Sequence, residues 1–198
     1  GKTGGTIDGN EPLCIEEGSP LPRFQELHRK KALQAIDLDL PEILSGTHRT
    51  SLLVVSHRWQ DADHPNRSGS VLRHIRQFLG FNPKIQAVWL DWMCVPQDGG
   101  SLRLTDGQRR YFSETLSQCG MLYLGLTVLA IWDQPCSQRF WPRFECWLAM
   151  QTVCRDGLVV APDDKSRLHL KEADFRNKRR EVVTNETMHA SLGSLPHS

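Results

Sequence analysis

Residues 51–59 read SLLVVSHRW, a run of apolar residues that ends abruptly in polar and aromatic side chains. Consecutive apolar residues without alternation are typical of a strand that is covered on both faces, as in a parallel sheet. The residues that follow the apolar run stand at the carboxyl end of this strand, and they are Ser56, His57, Arg58 and Trp59. In open α/β sheets, ligands bind beyond the carboxyl ends of the strands. The stretch therefore predicts a buried strand with a candidate site at its end.

The pattern after this stretch predicts an α/β fold. Residues 71–79 have apolar side chains at the spacing of an amphipathic helix, and residues 85–91 (IQAVWLD) follow as a second buried strand. A strand, a helix and a strand in this order form a βαβ unit with a right-handed crossover. The further predicted elements are a loop over 92–110, a helix over 108–119 that ends at Gly120, one or two strands within 121–132, a helix with Pro142 in its first turn, a strand over 157–161 and a charged helix over 166–180.

The chain of 198 residues is predicted to form a single domain with extensions. Residues 1–20 are rich in glycine and have no periodicity, so we predict a flexible leader there. The domain is predicted over 21–180, with a core over 51–160 and a helical extension over 21–48 that contains one helix and a short turn. Residues 181–198 have little to bury, and we predict a disordered tail.

The composition argues against several classes of partner. A formal net charge of +1 gives no support for nucleic acid binding. No apolar run approaches the roughly 20 residues that span a bilayer, and no signal peptide is visible, so we expect a soluble, cytoplasmic protein without a membrane partner. The six cysteines form no CxxC pair, and we therefore expect packed, reduced thiols and no metal site.

Side chains from four parts of the chain are predicted to converge on one sheet edge. They are Ser56, His57, Arg58 and Trp59 after the first strand, Asp91 and Trp92 after the second, Arg139 and Trp141 before the late helix, and Glu145 in its first turn. Indole rings stack on flat heterocycles, and arginine holds phosphate through two N–H donors, so these residue types suit a nucleotide. No GxGxxG motif follows a strand, and a Rossmann dinucleotide site is not indicated.

The sequence leaves ordinary structural explanations open for each of these residues. A core or surface histidine explains His57, an ion pair between strand ends explains Arg58 with Asp91, and core packing explains the tryptophans. Acidic residues are favoured near helix starts whatever their function, which explains Glu145. A thiol nucleophile at Cys146, with His57 as its base, is a further alternative.

Three motifs together resemble a divergent Toll/interleukin-1 receptor (TIR) domain. They are VVSHRW at 54–59, VWLDWMCVPQ at 88–97 and RFWPRFECWLAM at 139–150. The SHRW and D-x-x-C-x-PQ wording is similar to that of TIR-like proteins of microbes, algae and fungi. The resemblance covers residues 51–160 and implies a flavodoxin-like α/β fold, with a parallel sheet and helices on both faces. It also implies that Glu145 is catalytic, that residues 56–59 line a pocket for nicotinamide and ribose, and that Trp92 belongs to a mobile loop that orders on assembly.

Some TIR domains cleave NAD, and others only self-associate as signalling adaptors. From the resemblance we expect an NAD glycohydrolase that forms ADP-ribose or a cyclic product, with NAD as substrate and no cofactor. Asp91 and Trp141 complete the expected substrate site. Activation by assembly into a homo-oligomer, in a defence or signalling setting, is also expected. The alternatives are a non-catalytic TIR-like protein–protein interaction module and a nucleoside-processing enzyme similar to deoxyribosyltransferases.

Overall fold

The computed structural model describes residues 15–16, 18–59, 61, 64–99, 103–162 and 168–172. Within these ranges the helices are α1 (Phe24–Arg29), α2 (Leu40–Ser45), α3 (Ser70–Phe81), α4 (Asp91–Cys94), α5 (Asp106–Gly125) and α6 (Phe140–Ala149), and a 3₁₀ turn spans Gln134–Gln138. The strands are β1 (Leu52–His57), β2 (Ala87–Trp89), β3 (Thr127–Trp132), β4 (Gln151–Cys154), β5 (Gly157–Val160) and β6 (Leu168–Glu172). The predicted tail, and the predicted leader apart from residues 15–16 and 18–20, lie outside the described residues.

Four parallel strands form the main sheet, in the order β2-β1-β3-β6. Leu53, Val54 and Val55 of the central strand β1 are at most 1% exposed, because helices cover both faces of the sheet. Leu53 and Val55 share a core cluster with Ile75 of α3, whereas Val54 shares another with Leu148 of α6. The predicted α/β fold with a helix-flanked parallel sheet is confirmed, and it is consistent with a flavodoxin-like arrangement.

The predicted βαβ unit is present, with different boundaries at its second strand. Helix α3 buries Val71, Ile75 and Phe78, as the amphipathic spacing indicates. The second strand is only Ala87–Trp89, because Asp91 begins α4. The Asp91 carboxylate accepts the backbone N–H of Trp92 at 2.6 Å, which stabilises a helical turn where the sequence predicted a loop.

Helix α5 is longer than the sequence indicated. It starts at a capping box between Thr105 and Gln108 and continues through Gly120 to Gly125. A Cβ atom at Gly125 would lie 2.1 Å from Ile43 Cγ2, so the missing side chain lets α5 pack closely on α2. The prediction that the helix ends at Gly120 is wrong, and the strand predicted within 121–132 begins at Thr127.

Two other predicted elements are wrong, and one is confirmed. The extension contains the two short helices α1 and α2 rather than one helix and a turn. The strand predicted over 157–161 is confirmed as β5, and it pairs with β4 as an antiparallel hairpin outside the main sheet. Residues 168–172, predicted as part of a charged helix, form β6, which pairs in parallel with the edge of β3. No helix in the described ranges is long and apolar enough to cross a bilayer.

Candidate functional site

The candidate site lies at the carboxyl edge of the main sheet, where β1 and β3 end. Alternation along β1 places Ser56 on the same face as Val54, toward α5 and α6. His57 lies on the opposite face, and its backbone pairs with that of Ile131 in β3. The strand-end residues that were predicted to converge therefore lie on two opposite faces of the sheet.

A short hydrogen bond joins the end of β1 to α6. Ser56 Oγ donates to Glu145 Oε2 at 2.6 Å, across 89 positions of the chain. The Tyr123 hydroxyl of α5 lies beside the same carboxyl group and, as a hydrogen-bond donor, lowers its pKa. Glu145 is the sixth residue of α6, so it lies in the second turn and not in the predicted first turn. Its carboxyl group is held by the Ser56 hydroxyl of a neighbouring element rather than by the helix start.

The electrostatic environment of Glu145 favours the protonated carboxyl group. Burial raises its pKa most, the Ser56 hydrogen bond lowers it, and the Asp91 charge raises it. The resulting pKa is about 8. The Tyr123 hydrogen bond lowers the pKa further but does not cancel the effect of burial. Burial also raises the pKa of Tyr123 well above its ordinary value, so its hydroxyl remains a neutral donor.

Asp91 is held by two tryptophans at the start of α4. Its Oδ2 accepts the indole N–H of Trp59 at 3.1 Å, and its Oδ1 accepts the backbone N–H of Trp92. The two indole rings meet edge to face, with centroids 5.1 Å apart. Because Asp91 contributes to the pKa values of both Glu145 and His57, its carboxylate is electrostatically coupled to both faces of the edge.

Trp92 is a core residue and not an open stacking surface. Its side chain is 2% exposed, and the rings of Trp59 and His64 lie against it. The core-packing explanation therefore describes where this residue lies. Trp92 packs against the ring of Trp59 and donates its backbone N–H to Asp91.

Arg58 forms an ion pair with Asp133, which follows β3. Arg58 Nη2 lies 2.8 Å from Asp133 Oδ2, and Arg58 Nε also donates to the same carboxylate. Burial raises the pKa of Asp133, but the Arg58 guanidinium and the Cys136 N–H lower it by more, so the net pKa is reduced. The alternative pair between Arg58 and Asp91 is not formed. Asp133 was not singled out from the sequence, although its place directly after β3 was a usable signal.

His57 is a buried histidine with an unsatisfied ring nitrogen. Its side chain is 8% exposed, and Nε2 has no hydrogen-bond partner. Burial lowers the pKa of His57, and the nearby Asp91 carboxylate only partly offsets this. The ring is therefore neutral near pH 7. It lies on the face of the sheet opposite to Ser56, which contacts Glu145.

Trp141 belongs to an exposed aromatic row on α6. Its side chain is 58% exposed, and that of Phe140 is 53% exposed. The rings of Phe140 and Phe144 stack at 5.6 Å, and those of Phe144 and Trp147 stack at 5.9 Å. Trp141 contacts this row edge to face, so it is the predicted site tryptophan with an accessible face.

Cys146 has the opposite properties to those of a nucleophilic thiol. Its side chain is fully buried, and burial together with the Glu145 charge raises its pKa well above the ordinary value. The Cys146–His57 alternative therefore has no support in the structure. Among the residues that the structure describes, no group of three or more His, Cys, Asp or Glu side chains is arranged to hold a metal ion.

The arrangement brings together Ser56, Tyr123 and Glu145 on one face, and Trp59 with Asp91 at the adjacent strand end. Of these, Tyr123 was not singled out from the sequence, because its position inside a helix gives no local signal. The chain matches no protein-family model, no curated protein and no solved structure.

Proposed function

We propose that this chain is a TIR-like NAD glycohydrolase in which Glu145 is the catalytic residue. The observation that carries the proposal is the hydrogen bond from Ser56 to Glu145 at the carboxyl edge of a parallel sheet. Ligands of open α/β sheets bind at this edge. A carboxyl group held there by hydroxyl donors, beside a second carboxylate at Asp91, suits a cationic reacting centre.

The reaction breaks the bond between the nicotinamide nitrogen and C1′ of ribose. The bonding electron pair leaves with nicotinamide, which becomes neutral, and positive charge develops on the ribose as an oxocarbenium ion. Ionised Glu145 stabilises this charge, as carboxylates do in glycoside hydrolysis. Water then adds to C1′ and releases a proton, which gives ADP-ribose. Attack by a nucleophile within the same substrate gives a cyclic product instead.

The remaining site residues have unequal roles in this proposal. Ser56 and Tyr123 orient the Glu145 carboxyl group, and Asp91 adds negative charge that attracts the nicotinamide ring. Trp141 is accessible for stacking because more than half of its side chain is exposed. Arg58 is paired with Asp133, so we assign it to holding the sheet edge.

The ionised form of Glu145 is the active one, and this gives the proposal a pH signature. Because the pKa of Glu145 in the free protein is about 8, kcat/KM for NAD should rise with pH and reach half of its plateau near pH 8. A general acid at this position would give the opposite slope. The pH profile therefore separates a charge-stabilising carboxylate from a proton donor.

The direct test is NAD consumption at high protein concentration, with nicotinamide, ADP-ribose and cyclic products resolved by chromatography. We expect the wild type to consume NAD and folded Glu145→Gln to lose nearly all turnover. Glu114→Gln, which changes an exposed glutamate of α5, is the matched control and should retain activity. Turnover that survives in folded Glu145→Gln would refute the assignment. Base exchange on deoxynucleosides without NAD loss would favour the nucleoside-processing alternative.

A second candidate function, a TIR-like interaction module, is favoured by the exposed aromatic row. Phe140 and Trp141 are both more than half exposed, and large aromatic residues at a surface are enriched at protein interfaces. The expected homo-oligomer would use this surface. If the wild type associates without consuming NAD, and Trp141→Ser abolishes the association measured by light scattering, the interaction module is the better assignment.

A further inference from the structure

Residues 21–25, here called the N-terminal strap, lie against Trp92. The Trp92 indole N–H donates to the Leu21 carbonyl oxygen at 3.0 Å in a buried hydrogen bond. The Arg23 guanidinium carbon lies 5.0 Å from the centroid of the same indole ring, in a cation–π contact. Leu21 itself is only 2% exposed and belongs to the core cluster that contains Trp92. The strap therefore holds both the polar edge and one face of this tryptophan.

The strap also contacts the residues that follow α4. Gln25 Nε2 donates to the Gln97 backbone carbonyl at 2.7 Å. The Gln97 side-chain amide in turn donates to the backbone carbonyls of Asp91, at 3.3 Å, and Val95, at 2.8 Å. The strap thus reaches α4 from two directions, through the ring of Trp92 and through Gln97.

The orientation of the Asp91 carboxylate depends on these contacts. Both of its oxygens accept from groups that move with Trp92: one takes the Trp92 backbone N–H, and the other takes the indole of Trp59, whose ring packs on Trp92. Asp91 is the first residue of a four-residue helix, and so short a helix has little stability of its own. Tertiary contacts therefore hold it in place, and those of the strap are among them.

We propose that the N-terminal strap positions the Asp91 carboxylate at the candidate site by fixing Trp92, and that Arg23 is a positioning residue. Arg23 makes no contact with Asp91 or Glu145 and acts only through the tryptophan pair. The inference rests on the proposed function only for its effect on turnover. Independently of turnover, the inference predicts that the Trp59–Asp91 hydrogen bond weakens when the Arg23 side chain is removed.

The test is hydrogen exchange of the Trp59 indole N–H, measured by NMR in the full chain. Arg23→Ala should accelerate this exchange by about fivefold, the factor expected when a cation–π contact of roughly 1 kcal/mol is lost. Arg23→Lys keeps a cation over the ring and should restore most of the protection. Arg29→Ala, which removes an exposed arginine of α1, is the matched control. The backbone amide of Val54, in the centre of β1, reports global stability and should not change in step with Trp59.

Unchanged Trp59 exchange in Arg23→Ala would overturn the proposal, as would equal acceleration in Arg29→Ala or a parallel change at Val54. If the wild type cleaves NAD, Arg23→Ala should also lower kcat, and Arg23→Lys should restore it. If the wild type does not cleave NAD, the proposed function fails. The exchange measurement then still decides whether the strap positions Asp91.

Discussion

Ser56 Oγ donates a 2.6 Å hydrogen bond to Glu145 Oε2, which joins the central strand of the sheet to the last long helix. Leu53, Val54 and Val55, which precede Ser56 in β1, are at most 1% exposed, so the hydroxyl group has little freedom to move. This bond lowers the pKa of Glu145 against the larger effect of burial. The packing of the core and the protonation of the site are therefore linked through one side chain.

Replacement of Ser56 by alanine should raise the pKa of Glu145 above about 8, because the hydrogen bond that favours the ionised carboxylate is lost. NMR titration of ¹³C-labelled glutamate carboxyl groups measures this shift. Ser117→Ala is a suitable control, since Ser117 is exposed and bonds only to a backbone carbonyl of its own helix. A pKa for Glu145 that is unchanged or lower in Ser56→Ala would contradict the role assigned to the bond.

Replacement of Asp91 by asparagine should have the opposite effect on Glu145. The Asp91 charge raises the pKa of Glu145, so its removal should lower that pKa below about 8. The same charge raises the pKa of His57 against the effect of burial, so the pKa of His57 should fall as well. One NMR titration follows both groups. Shifts in opposite directions would show that Asp91 does not act on the two groups through its charge.

Glu145→Gln should stabilise the protein increasingly as the pH rises. The folded-state pKa of about 8 exceeds the ordinary 4.5, so the folded protein holds a proton that the unfolded chain releases between these values. The free energy of unfolding of the wild type therefore decreases as the pH rises through this window, by at most about 1.4 kcal/mol per pH unit. Glutamine does not titrate, so the free energy of unfolding of Glu145→Gln minus that of the wild type should increase from pH 5 to pH 8. Denaturant unfolding measures this difference. A difference between the two proteins that does not vary with pH would mean that Glu145 is ionised throughout.

Asp133→Asn should destabilise the protein by about 3 kcal/mol at pH 7, because it leaves Arg58 without its partner in a largely buried pair. Asparagine can still accept the Cys136 N–H that begins the 3₁₀ turn, so the change removes mainly the charge. The reduced pKa of Asp133 stabilises the folded state above the ordinary value of 3.8, and this contribution is lost as the pH falls. Chemical unfolding at pH 7 and at pH 3, which is below that ordinary value, should therefore show a smaller difference at the lower pH. A double mutant with Arg58→Gln that shows simple additivity would argue against the pair.

The main features of the fold were predictable because they depend on strong local patterns. The uninterrupted apolar run of β1 and the helical spacing of α3 each specify burial directly. Elements whose conformation depends on a distant partner were predicted wrongly. The stretch that contains β6 is rich in charged residues and was predicted as a helix, but Leu168 and Leu170 alternate with polar residues and the segment pairs with β3 at the sheet edge. Gly120 was predicted as a helix end, but α5 continues to Gly125, where the absence of a side chain allows close packing against Ile43 of α2.

The sequence by itself determined that a parallel α/β sheet forms around β1 and that Ser56, Asp91 and Glu145 lie near its carboxyl edge, because the apolar runs show where strands end. Only the tertiary structure decided which of these residues meet. Ser56 reaches Glu145, Arg58 pairs with Asp133, and His57 faces away, since alternation along β1 and the packing of α6 act together. Hydrogen bonds between residues tens of positions apart depend on orientation and burial, and neither of these properties is encoded in local spacing.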